Sequence, residues 1–268
     1  MKIETYQTQT AGGSVTAYFQ TTMLSPEMEE RNLPVIIICP GGAYLNHSDR
    51  EAEPVAKEFY GAGYHVVVLY YSVGEDAKNF RPLCQLAETV AWLRKNAKVW
   101  HIDVEKIAVC GFSAGGHLAA SLATLYQDAE FLKTWCGAEN IRPNALILGY
   151  PVINAKEFAH EYSLRTVSDG EPGSKEYEWF GLEQHVHKDM PPVFIVHTAE
   201  DQSVPVENSL LFANALSDKK VPFEMHIMPQ GAHGMSVCSK ETGNYDPYNA
   251  RWVTWCLAWL SRIFEFEK

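Results

Sequence analysis

The sequence has no uninterrupted apolar run of the roughly 18 to 20 residues that a membrane-spanning helix needs. Its N-terminus, MKIETYQTQT, carries a lysine and polar residues but no apolar stretch of the kind that a secretory signal requires. Internal repeats and low-complexity tracts are also missing. These absences predict a soluble cytoplasmic protein with no membrane partner.

Positive charge is scarce. The chain has 22 Lys and Arg residues against 33 Asp and Glu residues, a formal net charge of −11 at pH 7. Such a charge repels phosphate backbones, and no basic cluster interrupts it. We therefore expect no nucleic-acid partner and a small molecule as the ligand. The sequence leaves a homo-oligomer open.

The six cysteines form no CxxC pair, and most lie in apolar segments, so we expect them to be reduced and buried. His185 and His187 form an H-x-H pattern, but no further ligand set accompanies it. We interpret that pattern as a solvated surface and predict neither a metal nor an organic cofactor. The cysteines are Cys39, Cys84, Cys110, Cys136, Cys238 and Cys256.

Apolar segments alternate with helical patterns along the chain, after two short alternating stretches at 2–9 and 14–22 that meet at Gly12-Gly13 and predict an antiparallel hairpin. Runs that are apolar at every position are typical of strands covered on both faces of a parallel sheet. The predicted fold is a doubly wound, mostly parallel α/β sheet in one domain, 1–268. The predicted strands are 35–39, 65–71, 106–112, 145–152, 193–199 and 223–228.

Two helices stand out, at 82–97 and 252–266, and the tryptophans of the second lie on one stripe that favours core packing over a binding site. The segment 154–190 contains no convincing strand and several aromatic residues. A connection of this length within a compact domain is usually functional or disordered. The aromatics favour an ordered lid inserted over one end of the sheet.

The strongest chemical motif is Gly111-Phe112-Ser113-Ala114-Gly115, a G-x-S-x-G between a strand and a helix. A serine on this tight turn projects its hydroxyl above the sheet, and the positive end of the following helix favours an oxyanion there. The alternative is a glycine-rich turn with a capping serine. Because motif and context agree, we predict that Ser113 is a nucleophile.

A serine nucleophile needs a histidine base and a carboxylate that orients it. His233, in a glycine-flanked loop after the last strand, is the best-placed histidine, whereas His117 is expected to pack or cap. Glu200 and Asp201 both follow the strand at 193–199, and the pattern alone does not choose between them. His197 and His226 fall inside strands, where a core histidine is the default.

The motifs CPGGAY, SDREAEPVAKEF, GYHVVVLYYSV, IAVCGFSAGGHLAA, LGYPVI, HTAEDQSVPVENS and GAHGM recur in this order from about Leu33 onward. Together they resemble α/β-hydrolases of the carbohydrate acetylesterase and carboxylesterase type, close to the group related to hormone-sensitive lipase. The resemblance implies Ser113 as nucleophile, His233 as base and Asp201 as acid, because Asp201 precedes the family's xxVP pattern.

The same resemblance implies that Gly42, Ala43 and Ala114 donate backbone N–H groups to an oxyanion hole. Proline at position 40 replaces the usual histidine, which removes a side chain able to brace the loop. Alanine at position 43 replaces a glycine and keeps the backbone donor.

The predicted activity is hydrolysis of short-chain esters, acetyl above all, on sugars or other small alcohols. The aromatics Tyr44 and Trp179 are candidate substrate contacts that would stack on a sugar ring, although lid aromatics more often pack. An arylformamidase or small peptidase would carry the same three residues. A ligand-binding protein built on a hydrolase fold is disfavoured because the triad is complete.

Overall fold

The protein is described by a computed structural model that covers residues 1–21, 31–135, 137 and 140–267. Within these ranges, eight strands form one sheet in the order β1-β2-β4-β3-β5-β6-β7-β8. The strands are β1 (Lys2–Gln7), β2 (Ser14–Phe19), β3 (Leu33–Cys39), β4 (His65–Tyr70), β5 (Ile102–Phe112), β6 (Ala145–Gly149), β7 (Val193–Thr198) and β8 (Phe223–Met228).

The first two strands pair antiparallel with each other, and β2 pairs antiparallel with β4. All other strand pairs are parallel. The predicted doubly wound fold with an N-terminal antiparallel hairpin is therefore confirmed. Because the parallel strands run the same way, β3, β5, β7 and β8 deliver their following loops to one edge of the sheet.

Helices cover both faces of this sheet. The helices within the described residues are α1 (Glu53–Gly61), α2 (Arg81–Lys95), α3 (Ala97–Trp100), α4 (Ala114–Leu125), α5 (Ala129–Thr134), α6 (Glu161–Val167), α7 (Lys175–Glu178), α8 (Glu207–Asp218) and α9 (Arg251–Phe264), with short 3₁₀ helices at Asp49–Glu51, Gly74–Ala77 and Leu182–His185.

The strand residues alternate between two cores. On β3, Val35 and Ile37 join the core that contains α2 and α4, while Ile36 packs into the opposite core with α1 and α9. On α9, Trp252 and Trp259 are buried, as the stripe predicts, against Phe112 and Phe194. Burial on both faces explains why these strands are apolar at every position.

Some boundaries differ from the predictions. Strand β2 stops at Phe19 rather than at residue 22, and residue 22 itself lies outside the described residues. Strand β6 stops at Gly149 because Tyr150 adopts a left-handed backbone with φ 36°. Strand β5 begins early, at Ile102, because Ile102 pairs with Leu33 of β3 ahead of a register shift, after which Ile107 pairs with Val35.

The segment 154–190 joins β6 to β7 and contains α6, α7 and the 3₁₀ helix Leu182–His185, with no strand. Tyr177 is buried, whereas Tyr162 is exposed. The backbone carbonyl of Phe180 accepts a hydrogen bond from His117 on α4. The segment is thus attached to the helix that follows Ser113, and its role as an ordered lid stays a prediction.

Candidate active site

Three loops at the carboxyl edge of the sheet bring Ser113, His233 and Asp201 together. The Oγ of Ser113 lies 2.9 Å from Nε2 of His233, and Nδ1 of His233 lies 2.6 Å from Oδ2 of Asp201. In this arrangement the serine hydroxyl donates to Nε2 and the Nδ1–H donates to the carboxylate. The three residues that the sequence singles out therefore form one continuous hydrogen-bonded chain.

Ser113 occupies a strained turn between β5 and α4. Its φ of 54° and ψ of −119° lie in a region that non-glycine residues rarely adopt. The turn is held by the N–H of Ser113, which donates to Gly149, and by the N–H of Val152, which donates to the Ser113 carbonyl. Both bonds come from the chain that leaves β6, so packing of neighbouring strands maintains the serine conformation.

Asp201 is held by more than His233. Its Oδ1 accepts the N–H groups of Ser203 and Val204, each at 2.9 Å, and Nε2 of His197 lies 3.3 Å from Oδ2. Burial raises the pKa of Asp201, but the bonds from His197 and His233 outweigh it and hold this pKa below its usual range. The carboxylate is therefore charged at neutral pH.

The choice between the two acids follows from exposure. Glu200 is exposed, whereas the Asp201 side chain is buried and faces His233. His197 was expected to be a core histidine, and it is fully buried with Ser209 and the Val204 carbonyl as partners. Its contact with Asp201 could not be predicted, because the strand pattern does not show where a turn four residues later folds back.

The loop after β3 presents backbone N–H groups to the same site. The Gly41 carbonyl accepts from Ser48, and the Gly42 carbonyl accepts from Leu45 and Asn46. In a trans peptide the carbonyl and the following N–H point in opposite directions. These bonds therefore direct the N–H groups of Gly42 and Ala43 away from the turn, and neither N–H has an acceptor among the described residues.

Two glycines are required by the geometry of this region. Gly42 has a φ of 124°, and a Cβ at this position would lie 2.1 Å from the Asn46 carbonyl oxygen. A Cβ on Gly115 would lie 2.1 Å from the Cys39 carbonyl oxygen, so α4 packs directly on the end of β3. Ala114, the first residue of α4, has an N–H without an intrahelical acceptor.

Tyr71 and Glu51 hold the loop after β3 in place, a role that the Pro40 side chain cannot fill. The Tyr71 hydroxyl donates to the Pro40 carbonyl at 2.5 Å, and Oε2 of Glu51 accepts the Gly41 N–H at 2.9 Å. Oε1 of Glu51 accepts the Tyr150 hydroxyl at 2.8 Å. Glu51 was not among the predicted site residues, although it lies within the SDREAEPVAKEF motif.

Tyr150 carries this support to the histidine loop. Its hydroxyl accepts the Ser236 N–H at 2.9 Å, and its ring meets the His233 ring edge-on with centroids 5.0 Å apart. The loop that bears Gly42 and the loop that bears His233 are thus joined through Glu51 and Tyr150.

The two aromatic residues predicted to contact substrate lie elsewhere. Tyr44 is 1% exposed, and its hydroxyl bonds Nδ1 of His117 at 2.9 Å, so it supports the loop from inside. Trp179 lines a separate cavity with Phe80 and Phe180 and is not part of the wall around Ser113. Neither side chain lies in the wall of the cavity over Ser113, so a contact of either with substrate stays a prediction.

A cavity of about 420 Å³ opens over Ser113 and His233. Polar side chains and apolar surface both line it, and His160 from the segment 154–190, which was not among the predicted site residues, forms part of the wall. Burial, and then the nearby His233 imidazole, lowers the pKa of His160 below its ordinary value. The wall also includes Gly42, Ala43, Asn46, Ser48, Arg50 and Ser203.

His185, His187 and the described cysteines do not form a metal site. His185 bonds the Trp179 carbonyl and His187 bonds Gln127, and both are half-buried rather than fully solvated. Within the described ranges, no group of three or more His, Cys, Asp or Glu side chains is arranged to hold a metal ion. Cys39, Cys84, Cys110, Cys238 and Cys256 are buried, as predicted, and Cys136 lies outside the described residues. None of the described helices is both long and apolar enough to cross a bilayer.

Comparison with known proteins identifies the family and the fold of the chain. The family model BD-FAE matches residues 22–216. Endo-1,4-beta-xylanase B of Butyrivibrio fibrisolvens is 39% identical over 209 residues, which are 77% of this chain and 33% of that protein. The chain also spans less than two thirds of each of the other curated relatives that it matches.

Solved structures match over almost the full chain. An acetyl ester-xyloside bifunctional hydrolase from Caldicellulosiruptor lactoaceticus is 34% identical, with a TM-score of 0.80, over 94% of this chain and 88% of that one. The carboxylesterase Cest-2923 from Lactobacillus plantarum WCFS1 is 28% identical, with a TM-score of 0.88, over 100% of both chains. The resemblance to esterases is confirmed: the chain belongs to the BD-FAE family and has the α/β-hydrolase fold.

Proposed function

We propose that the chain is a carboxylic ester hydrolase that acts through an acyl-enzyme on Ser113. The observation that carries the proposal is the chain of hydrogen bonds from Ser113 through His233 to Asp201, at 2.9 and 2.6 Å, beneath an open cavity. Geometry of this kind is how serine hydrolases are recognised on unrelated folds. Esterases among the relatives and structural neighbours support the same reaction class.

In the first half-reaction, the Ser113 oxygen attacks the ester carbonyl while Nε2 of His233 takes the serine proton. The imidazolium that forms is stabilised by Asp201, which also holds the proton on Nδ1 so that Nε2 is free to act as the base. The proton then passes from Nε2 to the oxygen of the leaving alcohol. The alcohol must therefore leave on the His233 side of the cavity.

The tetrahedral intermediate carries a negative charge on the former carbonyl oxygen. We assign the N–H groups of Gly42, Ala43 and Ala114 to this oxyanion, because the first two have no other acceptor among the described residues and the third begins α4. One such donor typically contributes about 3 kcal/mol to the transition state. In the second half-reaction, water repeats the attack on the acyl group with His233 again as base.

The proposed substrates carry short acyl groups, acetyl first, on small polar alcohols such as sugars. A relative named as a xylanase and a neighbour named as an acetyl ester-xyloside hydrolase support carbohydrate esters. A cavity of about 420 Å³ with Asn46, Ser48 and Ser203 in its wall suits one sugar-sized alcohol.

The experiment that tests the nucleophile is labelling by a fluorophosphonate probe, together with turnover of 4-nitrophenyl acetate. Ser113→Ala should abolish labelling and lower kcat by at least about 10³-fold. Ser217→Ala, an exposed serine on α8, is the matched control and should behave as the unaltered protein. Labelling that persists in Ser113→Ala would remove Ser113 as the nucleophile.

A substrate panel tests the specificity. It compares 4-nitrophenyl acetate and butyrate, acetylated xylo-oligosaccharides, aryl formamides and aminoacyl amides. The proposal expects acetate over butyrate and turnover of the acetylated sugars. Turnover of aryl acetates without any sugar acetate would reject the carbohydrate assignment, and preference for formamides or amides would reassign the enzyme to amide hydrolysis.

A further inference from the structure

Among the described residues, Arg50 is the one permanently cationic side chain in the wall of the Ser113 cavity. It belongs to the 3₁₀ helix Asp49–Glu51, and its backbone carbonyl accepts the hydroxyl of Ser236. A Cβ placed on Gly234 would lie 2.9 Å from an Arg50 guanidinium nitrogen and 3.3 Å from its central carbon. The guanidinium therefore lies directly over the residue that follows His233.

The Arg50 side chain has no ion-pair partner within the described part of the molecule. Its guanidinium forms no hydrogen bond or ion pair with any described residue, and the acidic neighbours Asp49 and Glu53 do not pair with it. Both carboxylates of the site, in contrast, are satisfied: Glu51 by Gly41 and Tyr150, and Asp201 by its own set of donors.

An unpaired guanidinium at this place selects for an anionic ligand. Arginine presents a planar set of donors that matches a carboxylate, and the net charge of −11 otherwise disfavours anions near the protein. Because His233 returns its proton to the leaving oxygen, the alcohol part of the ester lies on the His233 side. That is the side on which Arg50 covers Gly234.

We propose that Arg50 binds a carboxylate on the alcohol part of the ester, so that the site favours acetylated acids, such as hydroxy acids and sugar acids, over neutral acetates. This inference rests on the proposed ester hydrolysis and deepens it by naming a substrate class. Asn46 and Ser48, in the same wall, supply neutral polar groups for the rest of the alcohol.

The test compares kcat/KM for 3- and 4-acetoxybenzoate with kcat/KM for the neutral 3- and 4-acetoxybenzamides. For each protein, kcat/KM for the anionic ester is divided by kcat/KM for the neutral ester. When this ratio is compared between variants, differences in reactivity between the leaving groups cancel. Arg50→Gln should lower this ratio about fivefold for at least one isomer, which corresponds to about 1 kcal/mol. Arg50→Lys should restore part of the ratio, because lysine keeps the charge but loses the planar fork.

Arg165→Gln is the control for a general change in charge. Arg165 lines the neighbouring cavity and is already paired with Glu161 and Glu171, so its removal should leave the ratio unchanged. The preference of the unaltered protein should also weaken as salt is raised from 0.01 to about 0.5 M, over which the Debye length falls well below 10 Å.

Each outcome bears on one proposal or on both. A ratio that is equal in Arg50→Gln and the unaltered protein for both isomers overturns the role of Arg50, while turnover of the neutral acetates leaves the ester hydrolase intact. An equal fall in Arg165→Gln also overturns it, because the effect is then one of net charge. No turnover of any acetate by the unaltered protein overturns ester hydrolysis and this inference together.

Discussion

Glu51 supports the loop that carries the proposed oxyanion donors, and its replacement by glutamine should weaken both stability and rate. The carboxylate accepts two hydrogen bonds, from the Gly41 N–H and the Tyr150 hydroxyl, at 2.9 and 2.8 Å, and its residue is 2% exposed. Glutamine has nearly the same shape but offers one oxygen and one NH₂ group. One of the two donors must then lose its acceptor.

The size of the effect follows from burial. A buried donor left without an acceptor costs about 1–3 kcal/mol, so we expect Glu51→Gln to lower the free energy of unfolding by about 2 kcal/mol. For 268 residues at about 2.1 cal/mol/K each, this lowers Tm by about 4 °C. Turning the Gly41–Gly42 peptide also misdirects the Gly42 N–H, and loss of one oxyanion donor costs about 10²–10³ in kcat.

We therefore expect kcat for 4-nitrophenyl acetate to fall about tenfold in Glu51→Gln, where one bond survives, and about 100-fold in Glu51→Ala, where neither does. KM should change little, because the donors act on the transition state. The assays are steady-state kinetics and thermal unfolding, with Glu53→Gln, an exposed acid two residues away, as control. A Glu51→Ala protein with a lower Tm but unchanged kcat would show that Glu51 supports folding alone.

Two further predictions concern the loop and the buried histidines. Gly42→Ala should lower kcat about 100-fold because the added Cβ would displace the Asn46 carbonyl. The control Gly61→Ala, where an added Cβ meets nothing within 4 Å, should leave kcat unchanged. Equal kcat values for the two variants would contradict the prediction for Gly42. Burial lowers the pKa of His117 and of His65 to about 4, from an ordinary value near 6.5. As the pH falls, the unfolded chain binds protons before the folded protein does, so the free energy of unfolding should be level above about pH 7 and fall between pH 6.5 and 4. The fall should reach up to ~1.4 kcal/mol per pH unit for each histidine. Urea unfolding across this pH range measures the free energy of unfolding, and a level profile would contradict the prediction.

Most of the sheet could be predicted because its central strands are buried on both faces and so are apolar at every position. The three residues of the triad could be selected for a related reason: parallel strands end at one edge, so loops far apart in sequence must meet there. The order Ser113, Asp201, His233 then restricts the choice further.

The supporting residues could not be predicted in the same way. Glu51 and Tyr150 are 99 positions apart in sequence, and their contact depends on how the 3₁₀ helix Asp49–Glu51 packs on the end of β6. Tyr44 turns inward because it and Ala43 both adopt left-handed backbone angles, with φ of 59° and 57°, which neither residue type favours. Residue type and periodicity carry no information about such local reversals.

The two hydrogen bonds of His117 limit which segments can be exchanged between members of the family. His117 joins Tyr44, in the loop after β3, to the Phe180 carbonyl in the segment 154–190, and each ring nitrogen has one fixed partner. With the Phe180 carbonyl accepting from Nε2–H, only Nδ1 is left to accept from Tyr44. A chimera that receives the segment 154–190 from another family member must therefore present a carbonyl at the place of Phe180, or receive matching residues at positions 44 and 117 as well. Exchange of the segment alone, with a backbone that follows another path at position 180, would leave the buried His117 imidazole without its acceptor.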